Sequence, residues 1–305
     1  MSKTIEDKLE KIPGINFLVR TGKKIILPGF EGLSLYDLFE IYFLGILKGT
    51  FSARASAISW SFFLSLFPFL LFLLNLIPYL QIENFQEKLF EFISGALPRQ
   101  SAIFFKGIFD DIASNPRGGL LSTVFILSLF LMTNGINAVF SGFEYSYHVT
   151  LNRSFIRQYL VALGVSLIVA LLLLITVVGT LYLTYLVDNL SRLGMVSDTL
   201  LWLTIGKYGL LVIMIFLITA TLFYYGTTEG KMNRFFSPGA FLTTVLIIIT
   251  TYLFGVYIDN FSNYNQLYGS IGAMLILMIY IWLNSNILLL GFELNASLTK
   301  LRKNF

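Results

Sequence analysis

Glu293 is an acidic residue inside a long apolar segment near the end of the 305-residue chain. Trp282, Asn286, Leu289 and Glu293 recur at i, i+4, i+7 and i+11, which sets them on one helix face, with Asn284, Gly291 and Asn295 on an adjoining one. An acid and amides at such depth must face protein or water. Two chemistries fit Glu293: a structural ion pair with Arg54, Arg153 or Arg157, or a protonatable group coupled to transport. Asn134 and Asn137, three apart in another apolar run, share a face and either join the same polar interior or bond between helices. In the first apolar run Ala53, Ala57, Ser61 and Ser65 make a small-residue stripe suited to close helix contact. Pro68 follows, removing an N–H and freeing the Leu64 carbonyl. That is either a packing kink or a broken helix lining a transport site. Ser65, Pro68, Asn134, Asn137, Asn284, Asn286 and Glu293 are thus the candidates for a substrate cavity.

Enzyme chemistry is not indicated. The chain has no cysteine and one histidine, His148, with no acidic pair at ligand spacing beside it. It contains no GxxxxGK loop to cradle a nucleotide phosphate. No metal site, cofactor or ATP-driven cycle is expected.

The elements that must position these residues follow from composition. Hydrophobic residues make up 56% of the chain and charged residues 12%, more apolar surface than one soluble core hides. A spanning helix needs roughly 20 apolar residues, and six runs reach that length: 57–79, 118–140, 158–186, 201–225, 238–257 and 270–296. The expected fold is all-α, a polytopic membrane protein of six transmembrane helices with amphipathic interfacial helices. The basic residues alternate with loop parity. Those before the first span, with Arg153, Arg157, Lys231, Arg234, Lys300, Arg302 and Lys303, fall on one side, and only Lys88, Arg99, Lys106, Arg117 and Arg192 on the other. Excess Lys and Arg marks the cytoplasmic side, so both termini are expected there. The net charge of +4 is explained by this bias and does not call for nucleic acid. No signal peptide is expected at the N-terminus.

Residues 1–56 are read as a cytoplasmic segment, 57–296 as the membrane domain and 297–305 as a basic tail. Within the first, Ser34 to Gly49 carries Asp37, Glu40 and Lys48 in a narrow stripe and is read as an interfacial helix. The external connection 81–117 has two amphipathic stretches, expected either to cover the bundle or to gate an outward cavity. The external turn after span five begins at Asp259. Tyr264 and Tyr268 suit an interfacial belt, and Gly269 a tight turn before Ser270 caps the last helix.

The stretch RASAISWSFFLSLFPFLL, Arg54 to Leu71, resembles the first-span signature of the YihY/BrkB family of bacterial inner-membrane proteins. The block from Ser237 to Ala296 strengthens the likeness through its Tyr-Gly-Ser turn, Tyr268 to Ser270, and its Gly-Phe-Glu-Leu-Asn ending. The family commonly has Ala where this chain has Phe292. What the resemblance implies is a six-helix inner-membrane protein, often regarded as a transporter or exporter. Many members carry the old label ribonuclease BN, for which these residues offer no catalytic metal site. The leading expectation is a secondary transporter or translocator of a lipid-like or small envelope-related substrate, with membrane lipids as partners and no nucleic acid. The alternative is a non-transporting envelope scaffold.

Overall fold

The computed structural model describes residues 15–26, 34–37, 39–40, 50–80, 121–145, 153–193, 198–228, 235–261 and 270–303, with isolated positions between 90 and 110. At 15–18, 50, 67, 69–80, 121–122, 124–125, 181, 188, 259–261, 270–271 and 300–303 it describes the backbone alone. Seven helices are described: α1 (Ile15–Lys24), α2 (Thr50–Leu80), α3 (Leu121–Glu144), α4 (Phe155–Arg192), α5 (Thr199–Gly226), α6 (Pro238–Phe261) and α7 (Ser270–Lys303). Five of them, α3 to α7, are long and apolar enough to cross a membrane. The other expected span lies within α2, whose 31 residues extend about 46 Å. The chain is an all-α polytopic membrane protein. Each expected span falls within one of these helices, apart from the first three residues of the run 118–140.

Local chemistry sets several boundaries. The Asp198 carboxylate accepts from the Leu201 N–H at 3.0 Å and caps α5. Ser237 caps α6, its hydroxyl accepting from the Ala240 N–H at 3.3 Å, and Pro238 takes the first helical position, where a missing N–H costs nothing. Ser34 and Asp37 bond reciprocally: the Ser34 N–H donates to Asp37 Oδ2 at 2.7 Å, and the Asp37 N–H to Ser34 Oγ at 3.3 Å. This capping box opens the segment expected to be an interfacial helix. Tyr36 there is buried against Gly22 of α1, while residues 41–49 lie outside the described residues.

Consecutive helices from α2 to α7 pack side by side, and α7 returns to α2, closing a ring in chain order. Contacts from α3 to α5 and α7 cross the ring. Antiparallel succession puts the start of α2, α4 and α6 and the finish of α3, α5 and α7 at one end, called here the basic end. The largest buried cluster lies toward that end and draws on all six helices, through Phe51, Ile58, Phe140, Phe143, Val165, Phe223, Ala240, Leu289 and Phe292 among others. Outward-facing Leu, Ile, Val and Tyr side chains on α4, α5 and α6 are exposed in number, the surface a bilayer would cover.

Candidate functional site

At the basic end three helices meet on one guanidinium. Arg54 of α2 donates through Nη1 to the Gly142 carbonyl of α3 at 3.0 Å and through Nη2 to Glu293 Oε1 of α7 at 3.2 Å. Both side chains of this pair are only 10% exposed, so each charge depends on the other for solvation. Of the three cations offered to Glu293 by the sequence, the structure selects Arg54. Arg153 instead donates to the carbonyl of Tyr225 at 2.7 Å, closing the C-terminus of α5. Burial pulls the Arg153 guanidinium below its ordinary value; Glu144 opposes that shift and Arg157 adds to it. Arg157 itself is exposed. The Gln158 amide, in the orientation its neighbours select, donates to both Glu144 carboxylate oxygens at 2.9 and 3.0 Å and accepts from Ser141 Oγ at 3.1 Å. The Asn137 Oδ1 atom lies 3.1 Å from the same amide.

The α6–α7 contact explains much of the C-terminal block. A Cβ on Gly239 would stand 2.2 Å from the Gly291 carbonyl oxygen, and one on Gly291 would strike Thr243 Oγ1. Only glycine allows the two backbones this close. Across the contact Asn295 Oδ1 accepts from the Gly239 N–H at 2.8 Å, while its Nδ2 donates to Ser237 Oγ at 2.8 Å. Asn295 therefore satisfies an N–H at the start of α6 and fixes the hydroxyl that satisfies another. Phe292 stacks on Phe143 with ring centroids 4.1 Å apart and planes within 6°, and meets Phe223 edge-on.

Away from this end the ring loosens. A cavity of about 710 Å³ lies between α2, α5, α6 and α7, walled by Ile58, Phe62, Ile218, Leu222, Ile281 and Leu288 among others. Its mouth is lateral, because the lining residues Tyr208 and Tyr252 are 63% and 71% exposed on the flanks of α5 and α6. Inside it stands a polar group: Thr251 Oγ1 and Tyr280 Oη are 2.7 Å apart, and Asn284 is one turn beyond Tyr280. Tyr280 and Asn284 are ten and fourteen residues into α7, about 15 and 21 Å from its first turn, near the depth of a bilayer midplane. Among the described residues no lining side chain carries a charge. A smaller groove of about 580 Å³ on the other flank of α7 is lined by Phe39, Thr250, Trp282 and Asn286.

The sequence-derived candidates thus separate. Asn284 lines the large cavity, and Asn286 lines the smaller groove while donating to the Trp282 carbonyl at 2.7 Å. Glu293 sits in the ion pair, Asn137 beside Gln158, and Asn134 is half-buried on α3. Ser65 is buried, donates to the Phe62 carbonyl at 2.8 Å and faces Gly135 of α3. The small-residue stripe is split, for Ser61 and Ser65 meet Gly135 while Ala53 and Ala57 are exposed. The reason is periodicity: four residues overshoot a 3.6-residue turn, so the stripe winds off the contact face. The helix continues through Pro68, whose carbonyl accepts from Ser128 Oγ of α3. Thr251 and Tyr280 were absent from the sequence-derived set. Their signal was weak, since Thr251 is one of a Thr-Thr-Tyr run, Tyr280 stands alone among apolar residues, and the two meet only across two helices. The side chain of Asp259, the residues Tyr264, Tyr268 and Gly269, and His148 lie outside the described residues, as does most of 81–117.

The sequence profile of the family described as Virulence factor BrkB matches residues 43–304. The ribonuclease-like protein YfkH of Bacillus subtilis is 32% identical over 275 residues, which cover 88% of this chain and 96% of that protein. A UPF0761 membrane protein of Coxiella burnetii is 24% identical over 78% of this chain and 84% of its own length. A UPF0761 membrane protein of Xanthomonas oryzae is 40% identical over a shorter stretch, 21% of this chain and 15% of that protein. No solved structure matches. With the family profile spanning nearly all of the helical ring, and a relative matched almost end to end, the chain belongs to the BrkB virulence factor family of membrane proteins.

Proposed function

We propose that this protein is a translocator of a lipid-like substrate, taken up sideways from the bilayer. The observation that carries the reading is the laterally open, almost wholly apolar cavity at mid-membrane depth with a few polar side chains inside. A water-soluble solute would need an axial, polar route, and the aromatic cluster with the Arg54–Glu293 pair fills the ring toward the basic end. In this reading the basic end faces the cytoplasm of a bacterial inner membrane, in keeping with the Lys and Arg bias. Both termini lie there. Glu293 then acts with Arg54 as a latch holding α2, α3 and α7 together. Neither catalysis nor nucleic-acid binding belongs to this reading. Among the described residues no cluster of His, Asp or Glu has metal-binding spacing.

The test is purified full-length protein in vesicles carrying a fluorescent lipid in both leaflets, with a membrane-impermeant quencher added outside. Translocation predicts loss of more than half of the fluorescence, with a slower rate when Leu222 and Leu288 are both changed to Trp to fill the cavity. Quenching limited to half with wild type would sink the reading. That result would favour the scaffold alternative, which the dense core at the basic end also suits.

A further inference from the structure

The helix α1 ends in a basic face. Arg20, Lys23 and Lys24 are all exposed, and at 3.6 residues per turn they fall within an arc of about 100°. No acid stands among the ten residues of α1. Another flank packs inward: Val19 is buried, and Gly22 meets the buried Tyr36 of the returning chain. Lys23 Nζ lies over the Tyr36 ring, 5.2 Å from its centre, which orients that side chain at the edge of the basic face. Ile25 and Ile26, which follow α1 directly, are exposed as well. The negative end of the helix dipole accounts for Lys23 and Lys24 in the last turn. It accounts neither for Arg20 nor for two adjacent isoleucines left uncovered.

The neighbouring contacts hold this patch beside the bilayer. After α1 the chain doubles back, the Leu35 N–H donating to the Ile25 carbonyl at 3.0 Å and Ile26 bridging to Ser34. The Ser34–Asp37 cap then leads to Phe39, which lines the smaller groove with Ser52, Leu242 and Leu290. Leu242 is four residues, about 6 Å, into α6, so Phe39 stands about one turn below the end of a helix long and apolar enough to span. Through Tyr36 and the paired backbone, α1 is carried at the level of a membrane surface.

We infer that α1 is a docking surface for anionic phospholipids of the leaflet at the basic end, with Arg20, Lys23 and Lys24 against the headgroup phosphates and Ile25 and Ile26 entering the layer beneath. Charge complementarity selects the anionic headgroup, since the face carries three cations and Asp37 on the returning segment is held by Ser34. The isoleucines select a lipid surface over a dissolved polyanion, because only a bilayer offers apolar cover next to phosphate. Each such cation strengthens binding near an anionic surface about fivefold. Docking of this kind is independent of whether lipids are translocated.

The chain has no cysteine, so Thr21→Cys, on the exposed side of α1, gives the full-length protein a single site for a fluorophore. The labelled protein would be placed in nanodiscs of phosphatidylcholine, or of phosphatidylcholine with an equal part of phosphatidylglycerol, each containing a trace of spin-labelled lipid as quencher. Docking predicts severalfold stronger quenching in the anionic discs at low salt, falling to the neutral-disc level in molar salt, where charges are screened beyond about 3 Å. Arg20→Gln together with Lys24→Gln should bring the anionic discs to that same level. A fluorophore on Phe241→Cys, exposed on the flank of α6, should be quenched alike in both discs. Equal quenching of the Thr21 probe in both disc types at low salt would overturn the inference without any charge variant. So would a preference for anionic discs that survives both molar salt and the double substitution. Loss of the lipid response on adding a stoichiometric amount of soluble polyphosphate would assign the patch to a dissolved polyanion and overturn it as well.

Discussion

The two ends of the helical ring are built differently. At the basic end the helices approach until glycine is required, backbone donors are met by side chains from neighbouring helices, and a guanidinium ties three helices together. Toward the middle, α5 and α6 pack least closely of the ring neighbours, and bulky aliphatic side chains line space instead of filling it. In a bilayer the hydrophobic effect does not drive helix association, so close packing and interhelical polar bonds must hold the bundle. The basic end supplies that cohesion, which leaves the middle of the ring free to keep a cavity. The difference predicts that substitutions at the basic end disturb folding, whereas those in the cavity disturb binding.

The largest effect is expected at the α6–α7 contact. Gly239→Val places carbon against the backbone of Gly291 and the Asn295 amide, so little folded protein should be recovered on size exclusion in detergent. Arg54→Ala should cost about 3–5 kcal/mol in a reversible unfolding titration, because Glu293 stays buried after losing the guanidinium it is paired with. Arg54→Met together with Glu293→Leu should recover most of that loss, which separates the cost of a broken pair from the net worth of the intact one. Asn295→Ala should cost about 1–3 kcal/mol in the same titration through the unmet Gly239 N–H. Thr251→Val should cost only about 0.6 kcal/mol, the average for a polar contact between membrane helices. Asn284→Leu should cost least, since the bond its Nδ2 gives the Tyr280 carbonyl runs within α7 and ties no two helices together. A large loss of stability in either cavity variant would erase the contrast between the two ends.

Much of the basic end was legible beforehand. The pairing of Glu293 with a cation followed from the cost of an acid among apolar residues and from the charge parity of the loops. The Ser-Pro-Gly start of α6 and the Gly-Phe-Glu-Leu-Asn segment of α7 stood out as a block. Their relation as a mutual cap did not, because Ser237 and Asn295 are 58 residues apart and no periodicity links them. Phe292 read as a departure beside the acid, and the structure shows it filling the space between Phe143 and Phe223. The cavity was legible least. Polar residues on two adjoining faces of α7 were grouped as one site, yet Asn284 and Asn286 open onto opposite flanks of that helix. Two residues turn the helix by about 200°, so helix neighbours in sequence need not be neighbours in a site.

By itself the sequence determined that the chain crosses a membrane as helices and where those helices run. Both follow from hydrocarbon thickness and from the need to satisfy every backbone polar group within it, which are constraints on single segments. Which cation Glu293 meets, where two glycines let backbones touch and onto which flank of α7 each amide opens were decided only by the tertiary structure. Each depends on the rotation and spacing of helices distant in sequence, and helix spacing in lipid is set by steric fit that no single segment encodes.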